Sequence, residues 1–281
     1  MFCKFSFALL SAALIGLSAP AFAESGEHAA PKESAPSGEH AAVPKEHGAP
    51  GGAASHEVHW TYECMNGPEH WGEVKPEFKA CQSGMSQSPI DLKSTIRADL
   101  PAITIDYKPA PLTVLNNGHT IQVNYPEGST MTVDGQVFNL LQLHFHTPSE
   151  YAIEGKRYDM EVHLVHKNAA GELGVIGIMA EKGKENPAVE KIWSHLPEAG
   201  GAPQTSDKVT INASDFLPEN KSYYRLMGSL TTPPCSEGVH WHVMKTPIQF
   251  SAAQIDKFKT IFPMNARPLQ ASNGRLIVLD R

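Results

Sequence analysis

Two short runs of the sequence place chemically capable side chains at alternating positions. In Gln142-Leu143-His144-Phe145-His146 a strand period of two puts Gln142, His144 and His146 on one face and Leu143 and Phe145 on the other. In Glu161-Val162-His163-Leu164-Val165-His166 the same rule groups Glu161, His163 and Val165 and turns His166 away. If the two strands pair, His144, His146 and His163 meet as a triad. Three neutral imidazoles with a fourth position left open make a catalytic zinc site, whereas structural zinc is usually closed by four ligands rich in cysteine. Gln142 and Glu161 then accept the ring N–H bonds that point away from the metal. A lone His-x-His pair is commonplace on a half-exposed strand; the third histidine with its carboxylate at alternating spacing favours a metal.

The elements that must hold these residues are mostly strands. Ala102–Tyr107, Leu112–Leu115, Thr120–Tyr125, Thr130–Val133, Val137–His146, Met160–His166, Gly174–Ala180 and Val239–Lys245 are short β-rich runs, with turn signals at Asn116-Asn117-Gly118 and Asp134-Gly135. Helical signals are few: Asn186–Leu196, with Pro187 in its first turn, and Ala252–Ile261, with Ser251 as cap. The expected fold is mainly β (α+β), a single domain on a large, mostly antiparallel twisted central sheet with short peripheral helices.

Composition narrows the function. The 281 residues carry 30 acidic against 23 basic side chains, a formal charge of −7, which argues against a nucleic-acid partner. Residues 1–23 have the form of a signal peptide: Lys4, an apolar run from Phe5 to Leu17, and Ala21-Phe22-Ala23 as cleavage site. That run is too short to span a bilayer, and no longer one follows, so a periplasmic or secreted protein without a membrane span is expected. Residues 24–55 repeat SGEHAAPKE-like sequence and lack the apolar content to pack, so they read as a disordered linker. His28, His40 and His47 there need no metal to explain them. The folded domain is expected over 56–281.

In order along that domain stand GPEHW (Gly67–Trp71), QSPIDL (Gln87–Leu92), NNGH (Asn116–His119), QLHFHTPSEY (Gln142–Tyr151), EVHLVH (Glu161–His166) and GSLTTPPCSEGVHW (Gly228–Trp241). Together they resemble the α-class carbonic anhydrases in their exported bacterial form, from His59 to about Ile277. The resemblance implies an enzyme, a zinc lyase that reversibly hydrates carbon dioxide to bicarbonate and a proton by attack of zinc-bound hydroxide. It implies His144, His146 and His163 as zinc ligands. Thr231 accepts a hydrogen bond from the hydroxide and donates its own proton to Glu150, while Thr232 flanks the bicarbonate. His119 matches the proton shuttle, with Tyr62, Asn117 and Gln122 ordering the waters that lead to it; Gln122 stands where the animal enzymes more usually have asparagine. Val165, Val175, Leu230, Val239 and Trp241 match the apolar wall for CO₂, with His240 and His242 on the other face of their strand. Cis peptide bonds are implied before Pro89 and Pro234.

The resemblance also implies a disulfide between Cys81 and Cys235, closing a loop of more than 150 residues, for which chain entropy gives roughly 4–5 kcal/mol. Cys64 is left either buried and free or in an intermolecular bond. Exported relatives imply a monomer or homodimer. The alternative from another class is a periplasmic metal-binding module of cupin type, in which Glu150, four residues after His146, is itself a ligand. The second cupin block is missing around His163, and the GSLTTPP run has no place in it.

Overall fold

Alternating apolar residues over so many short runs can bury one face only by joining a common sheet. A computed structural model describes residues 59–281, so the expected signal peptide, linker and residues 56–58 lie outside the described residues. The strands are β1 (Asp91–Leu92), β2 (Ile96–Ala98), β3 (Thr104–Asp106), β4 (Ala110–Asn116), β5 (Ile121–Asn124), β6 (Thr130–Val133), β7 (Gln136–His146) and β8 (Ala152–Ile153). They continue with β9 (Met160–Asn168), β10 (Leu173–Lys182), β11 (Gln204–Ile211), β12 (Tyr223–Ser229), β13 (Glu237–Met244), β14 (Ile248–Phe250) and β15 (Val278–Asp280). Among the described residues, helices α1 (Trp71–Val74) and α2 (Ala80–Ser83) precede β1, α3 (Pro187–Trp193) lies between β10 and β11, and α4 (Ala252–Ile261) between β14 and β15.

The large sheet runs β11-β4-β5-β7-β9-β10-β13-β12-β15-β2, with β6 beside β7, β3 beside β6 and β14 beside β10. Most pairs are antiparallel; β10 with β13, β10 with β14 and β15 with β2 are parallel. The expected mainly-β architecture is what the chain forms. Strands β11 and β12 lie in segments the sequence left without strand signals.

Each face of the sheet has its own apolar cluster. Leu143, Phe145, Val162, Leu164, Ile176 and Ile178 pack with Trp193 and Phe258 of α3 and α4. Asn186 caps α3 by accepting from the amides of Ala188 and Val189, and Ser251 with Gln254 forms a capping box on α4. Helix α3 ends at Trp193 and passes into a turn at Ser194 and His195, and Leu196, the expected last residue, is kept out of the helical region by Pro197. On the opposite face Val165, Val175, Val239 and Trp241 form the second cluster, and β9 is buried on both sides.

His166 and His242 face away from the triad and are buried. His166 Nε2 lies 2.7 Å from the Tyr107 hydroxyl, and its Nδ1 lies 3.2 Å from the carbonyl of Gly174. Burial pulls His166 down to about 4 and His242 to about 3. The unfolded chain, with histidines near 6.5, therefore takes up protons before the folded one does. Their contribution to stability is present above pH 6.5 and is lost as pH falls toward 4. Urea unfolding of the chelated protein at pH 6.5, 5.5 and 4.5 should show stability falling, and His166→Gln should make the fall shallower by up to about 1.4 kcal/mol per pH unit. Parallel curves for the two proteins would reject this assignment.

Candidate metal centre and active site

The triad depends on one register. Strands β7 and β9 pair with His144 opposite His163, His146 opposite Glu161 and Gln142 opposite Val165. Leu141 is an extra residue in β7, since Leu140 faces His166 while Gln142 already faces Val165. This bulge changes the phase of the strand. Phe138 and Leu140 before it join Leu143 and Phe145 after it in one core, and Gln142, His144 and His146 share the other face.

The three rings converge with centroids 4.5 to 5.1 Å apart, and one ligand atom from each lies within 4.8 Å of the others. Each ring is held by its outer nitrogen. His144 Nδ1 donates to Gln142 Oε1 at 2.8 Å, and His163 Nε2 donates to Glu161 Oε1 at 3.0 Å, in the roles expected of Gln142 and Glu161. His146 Nδ1 donates to the backbone carbonyl of Asn265 at 2.8 Å. That leaves Nε2 of His144, Nε2 of His146 and Nδ1 of His163 as available ligand atoms.

Burial lowers the pKa of all three histidines, His163 to about 4, so each offers a lone pair at neutral pH. His146 Nε2 is buried without a hydrogen-bond partner. An orphaned imidazole nitrogen among three uncharged nitrogen donors is the environment a zinc ion satisfies, and these residues fit it.

Two buried carboxylates border the triad. Glu161 Oε2 accepts the amides of Glu150 and Tyr151 at 2.7 and 2.9 Å. Burial raises Glu161 to about 7 against the pull of those amides. Gly177, opposite His163, leaves room for it: a Cβ there would come within 2.9 Å of Glu161 Oε1. Glu150 Oε1 accepts the amide of Arg267 at 2.9 Å, while Oε2 lies 3.6 Å from His146 Nε2 and has no hydrogen-bond partner. The bond expected from the Thr231 hydroxyl to Glu150 is therefore not made in this structure.

Thr231 is buried and Thr232 half-buried in a loop closed by the Leu230 amide on the Ser236 carbonyl and the Cys235 amide on the Thr232 carbonyl, both at 2.9 Å. Cis bonds precede Pro89 and Pro234, as implied, and a third precedes Pro148. Cys81 and Cys235 form a disulfide with Cα atoms 5.0 Å apart. Cys64 is exposed, and no cysteine is free among the described residues, which removes its buried, free alternative.

The expected apolar wall is contiguous. Val175 lies between Val165 and Trp241 in neighbouring strands, Val239 joins them, and Leu230 packs against the group. The Trp241 ring lies 4.9 Å from that of His163. At the other side His119 is half-buried with its ring stacked on Trp60 at 3.6 Å, and burial together with His59 pulls it down to about 4. Tyr62 stands 6.4 Å from it between ring centroids, and burial raises its pKa well above the usual value. Asn117 Oδ1 accepts the amides of His119 and Thr120, and Gln122 lies opposite His144.

Two residues here have no counterpart in the sequence reading. Asn265 supplies the carbonyl that holds His146, and its side-chain amide donates to the carbonyls of His119 and Phe145, both at 2.9 Å. Arg267 is buried, and its guanidinium donates to Gln87 Oε1 and to the carbonyls of Ser88 and Cys81, each at 2.8 Å. A backbone carbonyl has no sequence signature, and within 263–270 only Asn265, Ala266 and Arg267 are buried.

The family described as eukaryotic-type carbonic anhydrase matches residues 66–280. A carbonic anhydrase of Nostoc sp. is 47% identical over 226 residues, covering 79% of this chain and 86% of its own. A hyperthermostable carbonic anhydrase from a hydrothermal vent chimney superposes with a TM-score of 0.77 at 47% identity, covering 79% of this chain and all of its own. The α-carbonic anhydrase of Thermovibrio ammonificans, in complex with the inhibitor sulfanilamide, gives 0.75 at 44% identity, with 78% and 98% covered.

The metal centre can be checked apart from any reaction. In competition with a chromogenic chelator, the chain should bind one zinc ion, His163→Ala should abolish tight binding, and Glu161→Gln should weaken it about 10–100-fold. Undiminished zinc affinity in His163→Ala would reject the triad.

Proposed function

The chain belongs to the eukaryotic-type, or α, carbonic anhydrase family, and on that premise we propose that it is an exported zinc enzyme that hydrates CO₂ to bicarbonate and a proton. The observation that carries the zinc assignment is the unpartnered His146 Nε2 within the neutral triad. Membership of the family leaves no place for a cupin-like module.

His144, His146 and His163 would hold a zinc ion, which would supply a nucleophile at neutral pH by lowering the pKa of a water ligand to about 7, a figure established for carbonic anhydrases at large. The chain's own groups orient and exclude. Glu150 is fixed through Oε1 by the Arg267 amide, which leaves Oε2 to take the Thr231 proton. With that proton committed, the Thr231 oxygen can only accept, and this selects the orientation of whatever donates to it. Thr232 borders the product position. Val165, Val175, Leu230, Val239 and Trp241 give the substrate an apolar surface that does not compete for hydrogen bonds. His119 carries the released proton outward, with Tyr62, Asn117 and Gln122 lining the route.

Residues 1–23 are assigned as the export signal, 24–55 as a linker and 56–281 as the catalytic domain. Export is consistent with the Cys81–Cys235 disulfide, which lasts in an oxidising compartment. No helix among the described residues is long and apolar enough to cross a membrane.

Stopped-flow CO₂ hydration on the zinc-loaded protein should show rapid turnover that is lost on chelation and in His163→Ala. Full activity after complete metal removal would overturn the mechanism. Thr231→Ala should lower kcat/KM by about 10²-fold, as for loss of one transition-state hydrogen bond. His119→Ala should lower kcat with little change in kcat/KM and be rescued by imidazole; equal loss in both would reject the shuttle.

A further inference from the structure

His119 is one half of a pair. Its Nε2 lies 2.7 Å from Nε2 of His59, so one imidazole donates and the other accepts. The two rings stack with centroids 4.8 Å apart, and Trp60 lies flat against His119. Both residues are tied down through the backbone. The His59 carbonyl accepts Asn66 Nδ2 at 3.1 Å; the His119 amide donates to Asn117 Oδ1, and its carbonyl accepts Asn265 Nδ2. His59 is exposed and His119 half-buried, so the pair runs from the interior to solvent.

The titratable groups facing His119 are His59 and Tyr62, and Tyr62 stays neutral across the working range. Held near 4 by burial and by its neighbour, the His119 ring in this stack is a poor resting place for a proton. Such a group serves transfer only if the proton moves on at once.

We propose that His59 and His119 form a two-imidazole relay in which His59 is the exit to solvent. This rests on the reading of His119 as the group that receives the proton. His119 takes a proton on Nδ1, which has no hydrogen-bond partner among the described residues. The proton on its Nε2 crosses to His59 Nε2, and His59 gives the proton on its own Nδ1 to buffer. One proton enters, one leaves, and both rings end neutral; exchange with water restores the starting tautomers. His59 acts through His119 and touches neither substrate nor metal, so it is a positioning and relay residue.

The test compares CO₂ hydration by the zinc-loaded full chain carrying His59→Ala, His59→Gln or His119→Ala, across a range of buffer concentrations. At low buffer both His59 variants should lose roughly threefold or more in kcat, keep kcat/KM within about twofold, and recover with added imidazole. Glutamine can still hydrogen-bond His119 but cannot carry a proton, so wild-type kcat in His59→Gln overturns the relay. Equal loss of kcat and kcat/KM in either variant also overturns it, as a disturbance of the pocket. If His119→Ala too keeps wild-type kcat, the shuttle reading itself has failed; if only the His59 variants do, the relay alone has. Independently, ¹⁵N NMR of the wild-type protein should show a scalar coupling across the Nε2–Nε2 hydrogen bond, and its absence would refute the pairing.

Discussion

The pairing of His144 with His163 across β7 and β9 is the constraint on which the rest of the site depends. It brings three weak bases together in a place where burial forbids them to ionise. Sliding the register by one residue would exchange the faces, turning His163 into the core and His166 toward the side of the triad. That alternative is blocked from both sides. Val162 and Leu164 belong to the core with Phe145, and Leu143 lies opposite Leu164. The apolar packing that stabilises the domain therefore also fixes which imidazoles converge. Stability and the convergence of the three imidazoles are enforced by the same strands from opposite faces.

Around this cluster the protein buries two carboxylates and satisfies them unequally. Glu161 takes two backbone amides and a ring nitrogen, so both of its oxygens serve to hold His163 and the Glu150–Tyr151 turn. Glu150 spends one oxygen on the Arg267 amide and leaves the other bare beside His146. A buried oxygen without a partner costs free energy, on the order of 1–3 kcal/mol, and is kept where it has something to accept. The contrast separates a carboxylate that holds the architecture from one left free to act. Composition could not have made that distinction, since both are glutamates close in sequence to a histidine of the triad, Glu150 four residues after His146 and Glu161 two before His163.

Much of this was legible in the sequence because period two is a hard geometric rule. It grouped Gln142 with His144 and His146, Glu161 with His163 and Val165, and Val239 with Trp241, and it sent His166 and His242 to the other face. The bulge at Leu141 was also written there: Phe138 and Leu140 stand in one phase, Leu143 and Phe145 in the other, and a regular strand cannot bury both pairs on one side. Strand β11 escaped notice because it is a largely exposed edge strand, Gln-Thr-Ser-Asp-Lys-Val-Thr-Ile, whose polar residues carry no burial period. Strand β12 ends in a glycine and a serine that suit close packing against Ser88 and Trp241 better than any propensity scale. The Thr231–Glu150 bond, implied by resemblance, is a matter of side-chain torsion that no sequence pattern encodes.

A sheet fixes where a Cβ points but not how an imidazole turns about its own bonds. Two of the three rings are oriented by neighbours two positions away on the same strand, Gln142 for His144 and Glu161 for His163. His146 has no such partner, because the residue two positions before it is His144, itself one of the three converging rings. Its orientation has to come from outside the sheet, and Asn265 in the irregular C-terminal segment provides it. The same asparagine accepts the Thr147 amide and donates to the His119 carbonyl, so the third ring of the triad and the segment carrying His119 share one anchor. Two residues on, Arg267 holds Glu150 with its amide and the Cys81 carbonyl with its guanidinium, while Gln87 bonds both that guanidinium and the Cys235 carbonyl. A segment without regular structure can do this because its amides and carbonyls are not used up in a ladder. The strands supply the imidazoles and orient two of them, and the chain that follows the last helix aims the third.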